Sequence, residues 1–249
     1  MSQFSDALDF IFNRQESVSG GVEIGGLGEI WDLTVTHMWL SIAAMAVASA
    51  IAVPIGLYLG HIGKGDFLAI NVSNVGRAVP TYALIVLFVA YLGTGFTKVM
   101  LALVLLAVPP ILTNTFVGMR QVDREIVDSA RGMGLSEGQI IRQVELPLAL
   151  PTIFAGVRIS AVNVIATAIL AAQFNVLTLG QPIINANVYG DAGRLGAAIV
   201  VAVVALVADG GIAALQRAVT PKGIKLAEQD TRRRYRPFNL FNKRKAQTT

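Results

Sequence analysis

Cysteine is absent from the 249 residues, which excludes disulfides, thiolate metal sites and a cysteine nucleophile. Histidine occurs twice, as His37 and His61, far apart in the sequence. Charge is scarce too, at 14% of residues against 54% hydrophobic, with a mean hydropathy of +0.61. A chain so poor in charge cannot solvate its own surface as a globule in water, so lipid must cover much of it. Its pI near 9.6 does not point to nucleic acid. The basic residues sit at the ends of apolar segments, where they act as topology signals, and no aromatic or fold-like feature of a nucleic-acid binder accompanies them.

What the chain has in quantity is long uncharged runs. Met38 to Gly60 is rich in Ala, Val, Ile and Leu and long enough to cross a bilayer. Arg77 and Lys98 bracket a second run, Ala78 to Thr97, and Lys98 and Arg120 a third, Val99 to Met119. Thr152 to Ala172 makes a fourth, entered past Arg158, and Leu195 to Leu215 a fifth, interrupted by Asp209. Pro54, Pro80, Pro109 and Pro110 fall inside these runs, where neighbouring helices and hydroxyls can satisfy freed backbone groups.

Charge at the two ends sets an orientation. Residues 1–36 carry Arg14 against Asp6, Asp9, Glu16, Glu23, Glu29 and Asp32, so the basic start of a cleavable signal peptide is missing. From Gln216 onward basic residues dominate, with a cluster at Arg232, Arg233, Arg234 and Arg236. The positive-inside rule then puts the C-terminus in the cytoplasm, and five spans put the N-terminus outside. The expected organisation is an acidic extracytoplasmic segment at 1–33, a transmembrane domain at 34–218, and a basic cytoplasmic tail at 219–249. The connection 120–151 faces the cytoplasm, and the chain is a multi-pass protein of the cell membrane.

That connection is the most informative stretch. It reads Asp128-Ser129-Ala130-Arg131-Gly132-Met133-Gly134, then nine residues, then Val144-Glu145-Leu146-Pro147. Arg124 to Arg131 has the makings of a short helix, Gly134 of a turn with positive φ, and Ser136 with Glu137 of a second helix start, with Leu146-Pro147 expected to stop it. Two short helices at a steep angle form a knob, in which small residues such as Ala130 permit close packing into a partner's cleft. An amphipathic loop lying on the membrane would explain the mixture of charges, but not the fixed spacing.

The spacing resembles the EAA loop of binding-protein-dependent ABC importer permeases: Glu-Ala-Ala, three residues, Gly, nine residues, Ile, one residue, Leu-Pro. Here Asp128, Ser129 and Val144 stand for Glu, Ala and Ile. Further stretches are similar to the osmoprotectant branch of that family, which takes up glycine betaine, carnitine and choline. They are Arg77-Ala78-Val79-Pro80-Thr81, Pro109-Pro110-Ile111-Leu112-Thr113-Asn114-Thr115, Leu146-Pro147-Leu148-Ala149-Leu150-Pro151 and Val219-Thr220-Pro221-Lys222-Gly223. The likeness covers residues 34 to 223 in order, but Gln173 to Gly180 departs from a glycine-rich family segment near the outer mouth of the pathway. The resemblance implies an all-α polytopic fold of five transmembrane helices with a coupling loop between spans three and four. It implies as partners a separate ABC ATPase subunit, a second permease subunit, the same or paralogous, and an extracytoplasmic substrate-binding protein. It assigns contact with the ATPase to Asp128, Ser129, Ala130, Arg131, Gly134, Val144, Leu146 and Pro147. No catalysis, cofactor or metal is expected in this chain.

Leu135-Ser136-Glu137-Gly138-Gln139 reads almost like the signature pentapeptide of ABC ATPases, but no phosphate-binding loop accompanies it, so chance is the better account. Asp209 inside span five must face protein or water and find a partner. Asn114, Asn163 and Gln173 are candidates for interhelical hydrogen bonds or for the pathway, Pro80 for a kink beside it, and Tyr82 and Tyr91 for a π face or an interface anchor. The pathway candidates are therefore Pro80, Tyr82, Asn114, Asn163, Gln173 and Asp209. An ion-coupled secondary transporter is the competing reading, as is import of an amino acid or an amino-acid betaine. A secondary transporter needs coupling-ion chemistry for which the membrane runs offer only Asp209, and neither it nor a channel explains the spaced loop.

Overall fold

The computed structural model describes residues 3–64 and 80–220; Arg77 to Val79 and the basic tail from Pro221 onward lie outside the described residues. Among the described residues the architecture is helical apart from one hairpin of two three-residue strands, β1 (Arg14–Glu16) and β2 (Glu23–Gly25), near the N-terminus. Helix α1 (Gln3–Phe12) precedes the hairpin. After it run α2 (Gly26–Ile62), α3 (Thr81–Leu92), α4 (Phe96–Arg120) and α5 (Arg124–Gly132). Then come the long α6 (Glu137–Phe174), the short α7 (Gly180–Ile184) and α8 (Ala186–Val219). Among the described residues α2, α4, α6 and α8 are long and apolar enough to cross a membrane.

The core is the contact of α2 with α4, and the sequence shows why those two helices meet. Along α2 the residues Leu40, Ala44, Ala48, Ala52, Gly56 and Gly60 recur every fourth position and are all buried. Four-residue spacing puts them on one face, and their small size lets the backbones approach. At Gly56 an added Cβ would fall 2.7 Å from the Cβ of Thr115, so α4 passes directly over the glycine. Opposite them α4 presents Leu103, Ala107, Ile111 and Thr115. On its other side α4 meets α6 the same way: Gly156 faces Asn114 and the Pro110 carbonyl, and the Ser160 hydroxyl donates to Ala107 O across the gap at 2.9 Å. Buried His37 ties α2 to α6, its Nε2 lying 2.9 Å from Ile165 O.

Two expectations change. The run Ala78 to Thr97 is not one continuous helix: α3 ends at Leu92, and Gly93 and Gly95, at φ 84° and 116°, break the backbone before α4 begins at Phe96. Lys98 thus lies in the first turn of α4 and not between two helices. Tyr82 near the start of α3 and Gly95 just after its end both bond to the same end of α6, at Gln173 and Phe174 O. In addition, Leu146-Pro147 does not stop a helix. Residues Ile141–Glu145 form a wide π turn in which Leu146 N–H donates to Ile141 O, five residues back. The widened turn accommodates the missing N–H and the ring of Pro147, and the helix runs on as one rod to Phe174.

The N-terminal segment is folded. Phe10 is fully buried among Ile24, Ile30, Val188 and Val200, edge-on to Tyr189 with ring centroids 6.1 Å apart. Glu29 fastens the start of α2, accepting from Gly25 N–H at 2.6 Å and from Tyr189 Oη at 2.7 Å. The divergent segment Gln173 to Gly180 folds inward: Thr178, Leu179 and Gly180 are buried, and Thr178 Oγ1 donates to Ala168 O.

Candidate functional site

Helix α5 opens with Asp123, whose carboxylate accepts from Glu125 N–H at 2.9 Å, and ends at a turn in which Gly134 takes φ +88°. Ser136 and Gln139 then form a capping box that starts α6. The pentapeptide that resembles an ATPase signature therefore has a local structural role. Val122, Val127, Ala130 and Ile140 pack together, with Leu135 and Val144 beside them, giving the knob a small core of its own. Ala130, expected at the partner's surface, faces inward in that core and is 2% exposed. The apolar side chains that do point out are Ile126 and Met133, on the same face of α5 as exposed Ser129.

A chain of charges joins the knob to the membrane helices. Arg131 grips Glu137 with Nε and Nη2 at 2.9 and 3.0 Å and reaches Asp128 with Nη1 at 2.8 Å. Hydrogen bonding to Glu137 raises the pKa of the Arg131 guanidinium above its ordinary value. Glu137 also lies 3.0 Å from His61 Nε2, and the other ring nitrogen of His61 lies 2.5 Å from Glu145 Oε2. Glu145 is fully buried, and Arg124 stands 3.6 Å from its second oxygen while donating to Gly60 O at 3.3 Å. Carboxylates accept and do not donate, so the bridge is complete when the His61 ring donates from both nitrogens. The end of α2 is thus fastened to both helices of the knob. Sequence reading missed His61 and Glu145 because they are 84 positions apart; the available signal was a glutamate beside Leu-Pro at the start of an apolar stretch.

Of the loop residues assigned to ATPase contact, Asp128, Ser129, Arg131 and Gly134 are exposed, Val144, Leu146 and Pro147 are half-buried, and Ala130 is covered. The pathway candidates fall into three places. Tyr82 donates to Gln173 at 2.8 Å, with Pro80 immediately before α3. Asn114 bonds its own helix at Pro110 O. Asn163 and Asp209 come together in a crevice of about 760 Å³ between α6 and α8, whose walls are mainly Ala155, Ile159, Val162, Ala202 and Leu206. The partner that Asp209 requires is Arg158, whose Nε and Nη2 each donate to one carboxylate oxygen at 2.7 Å.

Residues 52–221 match the family described as binding-protein-dependent transport system inner membrane component. The chain is 39% identical over 194 residues to the carnitine transport permease protein OpuCB of Listeria monocytogenes, covering 78% of this chain and 89% of that one. It is 35% identical over 199 residues to the glycine betaine/carnitine/choline transport system permease protein OpuCB of Bacillus subtilis, covering 80% and 92%. In fold it is similar to a chain of the inward-facing MetNI methionine ABC transporter, with a TM-score of 0.69 and 18% identity over 78% of this chain and 98% of that one. The apolar helices, the spaced knob and these matches lead to one conclusion: the chain belongs to the binding-protein-dependent transport system inner membrane components, a family of membrane-embedded permeases.

Proposed function

We propose that this chain is the permease subunit of an ATP-binding-cassette importer that carries a small quaternary-amine osmoprotectant such as glycine betaine, carnitine or choline. A second permease subunit completes the pathway, a binding protein delivers the solute from outside, and a separate ATPase docks on the knob Asp128 to Pro147. The observation that carries the reading is this knob. Its spacing matches the family loop, and its turn, core and ionic links make it rigid enough to transmit a push. The quaternary-amine class comes from relatives at 35–39% identity, which are permeases for carnitine, for glycine betaine, carnitine and choline, and for choline. Charge asymmetry between the two ends supports an outside N-terminus and a cytoplasmic C-terminus.

Uptake of labelled glycine betaine at high osmolarity, in cells deleted for the gene and complemented with it, tests the substrate class. Restored uptake is expected; no quaternary-amine uptake with the partner subunits present overturns the class and leaves the importer reading standing. A cysteine at exposed Ser19 should label from outside the cell and one at Thr248 should not. The reverse pattern refutes the orientation.

A further inference from the structure

We infer that the crevice between α6 and α8 is a substrate site, in which a zwitterion inserts between Arg158 and Asp209 and replaces their mutual ion pair with two pairs of its own. This rests on the permease reading above and adds to it the residues and the ligand class.

The position of the pair is the first reason. At roughly 1.5 Å per helical residue, Arg158 stands about 20 Å from buried Glu145 on the knob side of α6 and about 24 Å from Phe174 at its far end, and Asp209 about 15 Å from the end of α8. Both therefore sit deep between the ends of the bundle, yet their side chains are 37% and 30% exposed. Charges at that depth do not face lipid tails, so this wall borders water or protein. Space is the second reason. A crevice of about 760 Å³ is of the size that holds small ligands, which are typically taken by apolar walls with a few converging polar groups. Three alanines, Ala155, Ala202 and Ala205, keep the space open around the pair.

Donor and acceptor counting is the third. The Arg158 guanidinium has five N–H donors and uses two on Asp209, and the Asp209 carboxylate has lone pairs to spare. A ligand carboxylate can take the free edge of Arg158, while a quaternary ammonium, which has no N–H, can rest against Asp209 and the apolar wall. The order of charges is then Arg158, ligand carboxylate, ligand ammonium, Asp209, alternating in sign and summing to zero. A bare cation such as choline has no carboxylate for Arg158 and leaves one positive charge uncompensated, so within the proposed class this site selects the zwitterions glycine betaine and carnitine. When the zwitterion leaves, the internal pair closes again. Neither side chain is stranded, and binding stays weak enough for passage.

The test uses the assembled transporter, with both permease chains, ATPase and binding protein, in proteoliposomes supplied with labelled glycine betaine. In R158Q/D209N the neutral pair keeps a hydrogen bond, so assembly should survive while KM for glycine betaine rises about tenfold or more, as expected for loss of charge-assisted bonds. Ala205→Leu leaves the ion pair in place and fills the crevice; it should lower uptake without changing co-purification of the subunits. Wild-type KM in R158Q/D209N, or wild-type uptake in Ala205→Leu, overturns the site. Loss of the second permease chain from both variants overturns it in favour of a subunit contact. Failure of the wild-type complex to take up glycine betaine would instead count against the substrate class.

Discussion

Two groups of charge sit in this molecule under opposite conditions. At the knob, Asp128, Arg131 and Glu137 are about half exposed or more and joined to several partners. In the crevice, Arg158 and Asp209 have each other and an apolar wall. Water competes for every contact in the first group, so no single exposed pair there contributes much and rigidity comes from their number. Beneath that group the solvent disappears. Glu145 is fully buried, and His61 is the link that joins it to the exposed network. The same end of the molecule therefore contains both a forgiving and an unforgiving charge, and sequence composition alone does not distinguish them.

His61→Ala should have the largest effect, since among the described residues it leaves buried Glu145 with Arg124 at 3.6 Å and nothing closer. Breaking a buried pair from one side costs about 3–5 kcal/mol. Thermal melting of the purified complex should show this as a clear drop, and a melt equal to wild type would mean that Glu145 is solvated after all. Gly134→Val comes next, because the turn takes φ +88° although the space around it is open. About 1 kcal/mol or more of backbone strain should weaken ATPase docking, read as co-purification and uptake. Asp128→Asn should come last, with little or no change in melting, since it weakens one exposed contact of Arg131 for which water already competes. If Asp128→Asn matched His61→Ala in melting, the contrast between exposed and buried charge at the knob would be lost.

The parts of this fold legible in the sequence were those written in local spacing. The knob's first helix, the glycine turn at Gly134 and the start at Ser136 fall where expected, because each rests on a residue's own backbone preference. Spans one, three, four and five lie within α2, α4, α6 and α8. The break at Gly93 and Gly95 was hidden because hydropathy continues across it, and a scan of charges sees Lys98 instead. The continuity of α6 through Pro147 was hidden because the π turn that absorbs the proline has no residue signature. Ala130 was misplaced for a different reason: a small residue suits a partner's cleft and a crowded core equally well, and contacts with Val122, Val127 and Ile140 decide between them. Asp209 plainly required a partner, but choosing Arg158, 51 positions away, needed the packing of α6 on α8.

The π turn at Ile141–Glu145 also acts on phase. An α-helix turns by about 100° per residue, and a π turn is in effect one residue more than the helix needs. It therefore sets the angle at which the knob points relative to the face of α6 that bears Arg158 and Asn163. Deleting one residue within 141–145 would return the segment to ordinary helix with the knob still in phase, whereas forcing all five residues into α geometry would swing the knob around the rod by about 100°. The rest of the rod, some 40 Å long, would be unchanged. On the coupling proposed above, the direction in which a push reaches the crevice depends on this turn absorbing a single surplus residue.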